Sequence, residues 1–218
     1  QGRDKAPPSL VGAGARLEAD WLIKFLRHPS LSATHLHRNG VRLYLDMRMP
    51  TFALSEEEIA KLVRFLNALS KQPSPYPYEE LAPLTADELA DARKLFLASE
   101  CLACHVTTDD LSQLTPEARA QIKAPGYIVG AERLKSRWMR HWLRDPQLIM
   151  PGTVMPSNFQ EVDGRWKANV LLPDDQLRVP KADQIELLLR YQKSFDQAES
   201  EYLLRLNESQ PKPQPKSK

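Results

Sequence analysis

The sequence of 218 residues predicts an all-α protein that consists of two tandem copies of one helical domain. Three observations support this prediction. Apolar residues recur at helical spacing behind two capping boxes, at residues 55–58 and 85–88. Several short patterns from the first third of the chain return in the same order further on. The one hairpin signal, Asp163-Gly164, predicts a small β-hairpin-like insertion in the second copy.

Composition narrows the class of protein. Hydrophobic residues make up 42% of the chain, which is enough for a buried core. The formal net charge of +2 is too small to indicate a nucleic-acid partner. No run of about 18 apolar residues is present, so we expect no membrane span. The chain opens with Gln1 and without a charged-then-apolar leader, which indicates a processed chain or a fragment of a longer one.

The second copy, residues 85–208, is expected to contain four helices. The first follows Thr85 and ends near Cys101, with one face formed by Leu89, Ala92, Leu95 and Phe96. A short second helix begins at Thr115-Pro116, and a third covers roughly residues 131–144. The last begins near Ala182, and we expect it to bury Ile185, Leu188, Leu189, Phe195, Tyr202 and Leu206. It is longer than a compact domain requires, so its second half is expected to pack elsewhere.

The only two cysteines, Cys101 and Cys104, are followed directly by His105. They could form a disulfide or redox pair, but such pairs normally begin a helix after a strand, and no strand is expected here. A zinc site would need two more ligands at matched spacing, and the other histidines are scattered. The third interpretation uses all three residues, because C-x-x-C-H is the attachment sequence for c-type haem. A chance coincidence is the fourth.

A second motif lies at residues 145–156, DPQLIMPGTVMP. Here the sequence resembles the class I c-type cytochromes, whose haem-binding loop carries Pro-Gly-Thr-x-Met after an Asn/Asp-Pro helix stop. The loop pattern is matched by Pro151, Gly152, Thr153 and Met155, and Asp145-Pro146 stands where the helix stop belongs.

This resemblance implies one haem c, attached through Cys101 and Cys104. His105 is then the proximal iron ligand, and Met155 is the distal ligand. Met150 competes for the distal role, since it also precedes a proline. Methionine is more often a core residue than a ligand, and only its place in this loop favours Met155.

Four more residues gain roles from the resemblance. The carbonyl of Pro125 is expected to accept a hydrogen bond from His105, which would fix the imidazole ring. Thr153 could bond a haem propionate, and Trp138 and Trp142 could wall the pocket. A plain loop proline and ordinary core aromatics are the alternatives.

Residues 1–70 resemble the second copy without its beginning. The matching pairs are Ala6-Pro7 with Ala124-Pro125, Arg16-Leu17 with Arg133-Leu134, Trp21 with Trp138, Leu26-Arg-His-Pro29 with Leu143-Arg-Asp-Pro146, and Met49-Pro50 with Met155-Pro156. A final helix follows in both copies. In the first copy, Ser55 and Glu58 cap a helix that carries Ile59, Leu62, Val63, Leu66 and Leu69.

The counterparts of the first helix and of C-x-x-C-H would lie before Gln1. Three explanations compete: the true N-terminus is missing, another chain supplies the helix and its haem, or the first copy is a haem-free remnant. A free-standing remnant would leave the apolar face of residues 56–70 uncovered, at a cost of about 25 cal/mol per Å². The first two explanations are therefore favoured. Met49 is a ligand if a second haem occupies the first copy, and a core residue if none does.

Three further segments and one group of basic residues remain to be described. Residues 71–84 contain four prolines and predict a semi-rigid linker. Residues 157–181 form the insertion, which could shield the distal haem edge or contact a partner. Residues 209–218 predict a flexible tail rich in lysine and proline. The predicted third helix and its flanks carry a basic set that is either a solvated face or a docking patch for an acidic partner, namely Arg133, Lys135, Arg137, Arg140 and Arg144.

A haem iron with His/Met ligation has no open position, so we expect an electron carrier and not an enzyme. The expected setting is a cytochrome subunit of a larger respiratory or redox complex. The alternatives are a haem enzyme subunit, di-haem peroxidase-like or dehydrogenase-associated, and a haem-free thiol protein. Expected partners are redox proteins, a membrane-bound oxidoreductase complex, and a chain that supplies the missing first helix. The resemblance implies the bacterial periplasm or the outer face of the cytoplasmic membrane.

Overall fold

The computed structural model describes residues 10–29, 41, 49–73, 78–107, 115 and 122–209. In these ranges the chain is mostly helical, as predicted, with one two-stranded sheet. The helices are α1 (Ala13–Arg16), α2 (Ala19–Arg27), α3 (Glu56–Leu69), α4 (Ala86–Ala98), α5 (Tyr127–Arg133), α6 (Ser136–Arg144), α7 (Pro146–Ile149), α8 (Gln184–Lys193) and α9 (Gln197–Ser209). The strands are β1 (Phe159–Val162) and β2 (Arg165–Ala168). The predicted helix after Thr115, the Ala6-Pro7 match and the tail from residue 210 lie outside the described residues.

Both predicted capping boxes are confirmed. The Ser55 hydroxyl accepts from the Glu58 N–H at 3.3 Å, and the Ser55 N–H donates to the Glu58 carboxylate at 2.8 Å. Thr85 and Glu88 repeat this exchange at 3.2 and 2.9 Å. Each exchange satisfies two backbone donors at a helix start, so α3 and α4 begin where the sequence predicted.

Two predicted helices are each broken into two. The helix expected at residues 131–144 is interrupted at Leu134, whose backbone is extended with φ −100° and ψ 135°. The last helix is interrupted between α8 and α9, where Phe195 is buried in the turn. The prediction that its second half packs elsewhere is wrong. Leu203 of α9 is fully buried in the same core as α8, and Glu199 pairs with Arg93 of α4.

The buried apolar residues form two clusters. The first cluster lies among α1, α2 and α3 and consists of Ala13, Leu17, Trp21, Leu22, Leu26, Ile59, Val63 and Leu66. The second cluster joins α4, α5, α6, α8, α9 and β1, and its fully buried members include Leu95, Phe96, Ile185 and Leu188. Each copy of the predicted repeat therefore has a core of its own, although Leu134 of the second copy packs against the first cluster.

The backbone of α1 and α2 is repeated in α5 and α6. Leu17 and Leu134, which separate the helices of each pair, have φ/ψ of −102°/140° and −100°/135°. The caps that end α2 and α6 are also alike, with −140°/83° and −151°/88°. Trp21 stacks on Phe25 with centroids 4.9 Å apart, and Trp138 stacks on Trp142 at 5.0 Å. The sequence matches in this region thus correspond to matching structure.

The two copies meet through these repeated residues. Leu17 and Leu134 form an antiparallel bridge. On one side the Glu18 N–H donates to the Arg133 carbonyl at 2.9 Å, and on the other the Lys135 N–H donates to the Arg16 carbonyl at 2.9 Å. Equivalent residues thus bond each other reciprocally, which is the pattern of a local two-fold axis.

A lysine from the second copy reinforces this contact. Lys135 Nζ donates to the Gly14 carbonyl at 2.7 Å and lies 3.4 Å from the Asn67 side-chain oxygen. Gly14 must be glycine, because a Cβ there would lie 2.5 Å from the Asn67 Cα and the Leu66 carbonyl oxygen. The close approach of α1 to α3 brings the Gly14 carbonyl and the Asn67 side chain to the same ammonium group.

The predicted hairpin is confirmed. Asp163 and Gly164 both have positive φ, 51° and 72°, as a two-residue turn of type I′ requires. The Trp166 N–H donates to the Asp183 carboxylate at 3.0 Å, which holds β2 on the start of α8. Further along the insertion, the buried Asp91 carboxylate of α4 accepts the backbone N–H groups of residues 178 and 179, each at 2.7 Å. The insertion is therefore bonded to the second copy at two places, in β2 and near its end.

Candidate functional site

The segment with both cysteines follows directly from the end of α4. Glu100 has a positive φ of 52°, and this left-handed residue turns the chain into a single 3₁₀ turn over Cys101–Ala103. The His105 N–H then donates to the Cys101 carbonyl at 3.2 Å. Because this turn follows a helix and not a strand, the pair lacks the setting of a redox-active C-x-x-C.

His105 is held by the residue that the sequence predicted. Its Nδ1 lies 2.7 Å from the Pro125 carbonyl oxygen. A carbonyl can only accept, so Nδ1 carries the proton and Nε2 keeps its lone pair. Burial lowers the pKa of His105, and this opposes protonation of Nε2. The ring also packs on Tyr127, with centroids 4.7 Å apart.

Both thiols are free and half-buried. Burial raises the pKa of Cys101 to about 11, although a hydrogen bond with the Tyr127 hydroxyl acts in the opposite direction. A thiol with such a pKa is not a thiolate at neutral pH, which disfavours a reactive redox cysteine. The described residues also contain no group of three or more His, Cys, Asp or Glu side chains placed to hold a metal ion.

The loop with the Pro-Gly-Thr pattern is organised by Gln147. Its side-chain amide donates to the Thr153 carbonyl at 2.5 Å and accepts from the Gly152 N–H at 3.2 Å. Gly152 has a φ of 83°, which glycine adopts without strain. The Thr153 hydroxyl lies 3.4 Å from the Met155 N–H. These bonds fold the loop so that Met155 lies against the second cluster.

The Met155 sulfur has a specific neighbour. Trp142 Nε1 donates to Met155 Sδ at 2.8 Å, and Trp138 stacks on the Trp142 indole. The structure therefore brings the two tryptophans and Met155 together, and their role as the wall of a haem pocket stays a prediction. Met150 is 44% exposed, so Met155 is the better placed of the two methionines for a buried role.

Met49 of the first copy is 37% exposed and belongs to neither cluster. Met49 thus lies in neither core of the described residues, and the alternative of a core residue in a haem-free first copy stays a prediction. Its role as a ligand stays a prediction.

Most of the basic set is used inside the chain. Arg140 pairs with Glu79 of the linker at 2.6 Å and with Glu186 of α8 at 2.5 Å. Lys135 bonds Gly14, as described above. The guanidinium groups of Arg133 and Arg144 lie over the rings of Trp21 and Trp166, at 5.7 and 5.3 Å. Four of the five basic residues therefore contact other groups of this chain, and these four do not form an open basic face.

The donor set fits a c-type haem. Two thiols would attach such a group and a histidine and a methionine could bind its iron, and the chain offers Cys101, Cys104, the Nε2 atom of His105 and the Met155 thioether. His105 is oriented by a backbone carbonyl, as metal-bound histidines usually are. No other chemistry considered above uses all four side chains.

Neither a protein-family model, nor a curated protein, nor a solved structure matches this chain. Among the helices of the described ranges, none has the length and apolar character that crossing a membrane requires.

Sequence reasoning missed two residues of this site. Tyr127 packs against His105 and bonds Cys101, but nothing near a lone tyrosine signals such a role. Gln147 directly follows Pro146 at the start of the short helix α7, which precedes the loop. This position was the only feature of the sequence that could have indicated its role in the loop.

Proposed function

We propose that this protein is an electron-transfer cytochrome c, acting as a subunit of a larger respiratory or redox complex. Cys101 and Cys104 would hold one haem c covalently, and His105 and Met155 would bind its iron. The observation that carries the proposal is the 2.7 Å contact between His105 Nδ1 and the Pro125 carbonyl, directly beside two free thiols.

That contact does two things for a metal ligand. It fixes the tautomer, so that the bare nitrogen of the imidazole is Nε2. It also prevents ring rotation and makes the imidazole a stronger donor. Both are properties of a proximal ligand, and they leave Nε2 as the ring atom that would bind the iron.

When bound, the haem supplies the electron-transfer chemistry. The chain positions the thiols on a tight turn, keeps His105 neutral, and holds a thioether in an apolar setting. A methionine ligand favours the reduced iron and raises its potential. Since His105 and Met155 would fill both axial positions, no open position is left for a substrate, which supports a carrier over an enzyme.

The domain assignment belongs to the same proposal. We propose residues 85–208 as the haem-binding cytochrome c domain and residues 1–70 as a related domain. The repeated backbone of α1–α2 and α5–α6 supports this relationship. Haem attachment to cysteines takes place outside the cytoplasm, so we infer the bacterial periplasm or the outer face of the cytoplasmic membrane, with redox proteins as partners.

The proposal is tested by producing the protein in cells with a haem-attachment system. We expect a red protein whose intact mass and pyridine haemochrome spectrum give a covalent haem at Cys101 and Cys104. The double variant Cys101→Ser/Cys104→Ser should lose it. His105→Ala should lose the low-spin spectrum, whereas the exposed His141→Ala should keep it. A colourless protein with two alkylatable thiols refutes the proposal.

A further inference from the structure

Two backbone hydrogen bonds hold the chain on either side of the proposed proximal ligand, His105. The Lys123 N–H donates to the Cys104 carbonyl at 3.2 Å. The N–H of Tyr127, the first residue of α5, donates to the Val106 carbonyl at the same distance. These bonds fix the course of the backbone, and they leave the orientation of the imidazole ring to contacts of the side chain.

The His105 ring is oriented by one hydrogen bond. Its Nδ1 lies 2.7 Å from the Pro125 carbonyl oxygen. A single bond of this kind fixes one atom of the ring, and the ring can still tilt about the line that joins Nδ1 to the oxygen. Fixing the plane of the imidazole therefore needs a second contact, on the face of the ring.

Tyr127 supplies that second contact. Its ring packs on the His105 ring, with the two centroids 4.7 Å apart and the two planes inclined by 34°. Its hydroxyl forms a hydrogen bond with the Cys101 thiol. The side chain thus touches two of the four groups that the proposed haem would use.

The tyrosine ring is itself held in place by the second cluster. It is 8% exposed, and it packs edge-on against Phe96 with centroids 4.8 Å apart. The Phe195 ring lies 5.4 Å away. Both phenylalanines are buried. Close packing on these sides keeps the tyrosine from moving away from the imidazole.

We propose that Tyr127 is a positioning residue whose ring sets the plane of the His105 imidazole. The inference rests on the proposed function and assigns a role to a residue outside both sequence motifs. The plane of an axial imidazole determines which iron d orbitals the ligand overlaps. A plane held by packing stays the same in the oxidised and the reduced protein, so less of the structure rearranges when an electron is transferred.

The test compares two variants at this position with two at a matched position. Tyr127→Phe keeps the ring, whereas Tyr127→Leu removes it. Tyr191 is the matched position, because its buried ring also packs edge-on against Phe96, at 5.4 Å, while its hydroxyl donates to Glu199. Tyr191→Phe and Tyr191→Leu therefore remove comparable core packing without touching His105. Urea unfolding shows how far each variant is destabilised.

The plane of the imidazole is measured from the NMR shifts of the four haem methyl groups in the oxidised protein. We expect Tyr127→Leu to change the order or the spread of these shifts, and the other three variants to keep both. A Tyr127→Leu spectrum with unchanged shifts overturns the inference. So does an equal change in Tyr191→Leu, which would make the effect one of general packing, or in Tyr127→Phe, which keeps the ring.

The unaltered protein provides a measurement that does not depend on how well a variant folds. We expect nuclear Overhauser contacts between the ring protons of Tyr127 and His105, and their absence also overturns the inference. A protein that carries a haem with His/Met ligation but fails these tests refutes the inference alone. A protein that carries no haem refutes the proposed function, and the inference falls with it.

Discussion

At the scale of single residues, the contact between Trp142 and Met155 has the most direct chemical consequence. The indole N–H points at the sulfur from 2.8 Å, so a partial positive charge lies next to the proposed iron ligand. Such a charge weakens electron donation by the sulfur and disfavours the more positive, oxidised iron. If Met155 binds a haem iron as proposed, the tryptophan would add to the preference that a thioether has for reduced iron.

Replacing this tryptophan should lower the reduction potential. Trp142→Phe keeps the aromatic packing and removes the hydrogen bond, whose net worth is about 0.5–1.5 kcal/mol. Only the part of this energy that differs between oxidised and reduced iron moves the potential, so for one electron the fall is at most roughly 20–60 mV. A redox titration followed by absorbance measures it. Trp138→Phe alters the stacked neighbour but leaves the donor to Met155 in place, so an equal shift in both variants contradicts this explanation.

The residues of the site differ in how far the sequence could predict them. Cys101, Cys104 and Met155 stand in short motifs whose spacing is dictated by local chain geometry, so a pattern is enough to find them. Tyr127 and Gln147 act through contacts that depend on how loops meet after folding. No periodicity or spacing records such contacts, and they became visible only in the structure.

At the scale of the elements, Gly14 sets how closely α1 approaches α3. An alanine Cβ at this position would lie 2.5 Å from backbone atoms of α3, which cannot rotate away. We expect Gly14→Ala to lower the free energy of unfolding by about 1–3 kcal/mol through overpacking. Gly130→Ala is the matched control, since it lies in α5 with no atom within 4 Å of the added Cβ. It should be neutral or stabilise by up to about 1 kcal/mol. Urea unfolding measures both, and equal effects would exclude close packing as the cause.

The cap of α4 should make stability depend on acid pH. The guanidinium of Arg190, followed by the Thr85 N–H, lowers the pKa of Glu88 from 4.5 to about 2. A carboxylate whose pKa is lowered by folding stabilises the protein above its unfolded pKa, and this stabilisation is lost as the pH falls from about 4.5 to 2.

Glu88→Gln removes the titrating group and its ion pair with Arg190, while the amide oxygen of glutamine can still accept from the Thr85 N–H. We expect it to destabilise the protein at pH 7, by an amount that shrinks as the pH falls below about 4.5. Urea unfolding at a series of pH values measures the difference. Glu57→Gln, on the exposed side of α3, serves as the control. A destabilisation by Glu88→Gln that stays constant down to about pH 2.5 is the result that speaks against this account.

Helix boundaries show where local patterns stop being informative. Capping boxes act within four residues, so the starts of α3 and α4 were predictable. The break at Leu134 has no glycine or proline to signal it. Its extended backbone is stabilised by hydrogen bonds to the distant segment around Leu17, and such long-range pairing overrides the helical preference of the local sequence.

At the scale of the whole molecule, the two copies are joined by a small symmetric contact. Its centre is the bridge between Leu17 and Leu134, and Lys193 adds an ion pair to Glu18 at 3.6 Å. The repeated short patterns were visible in the sequence, because they keep the same residue types, order and spacing. The way in which the two copies contact each other could not be predicted. They are joined by backbone hydrogen bonds, which any residue type can form.

Leu134 is the residue through which the second copy contributes to the core of the first. Its side chain packs against the first cluster, although its chain neighbours belong to the second copy. Leu134→Ala should therefore leave a cavity at the junction and cost about 2 kcal/mol, at the low end for leucine truncation because the side chain is only half-buried. We expect amide hydrogen exchange to quicken in α3 and to stay slow in α8. Ile128→Ala, in α5 but packed against the second cluster, should give the opposite pattern. If both variants quicken exchange equally in α3 and α8, the copies unfold as one cooperative unit and the junction does not separate them.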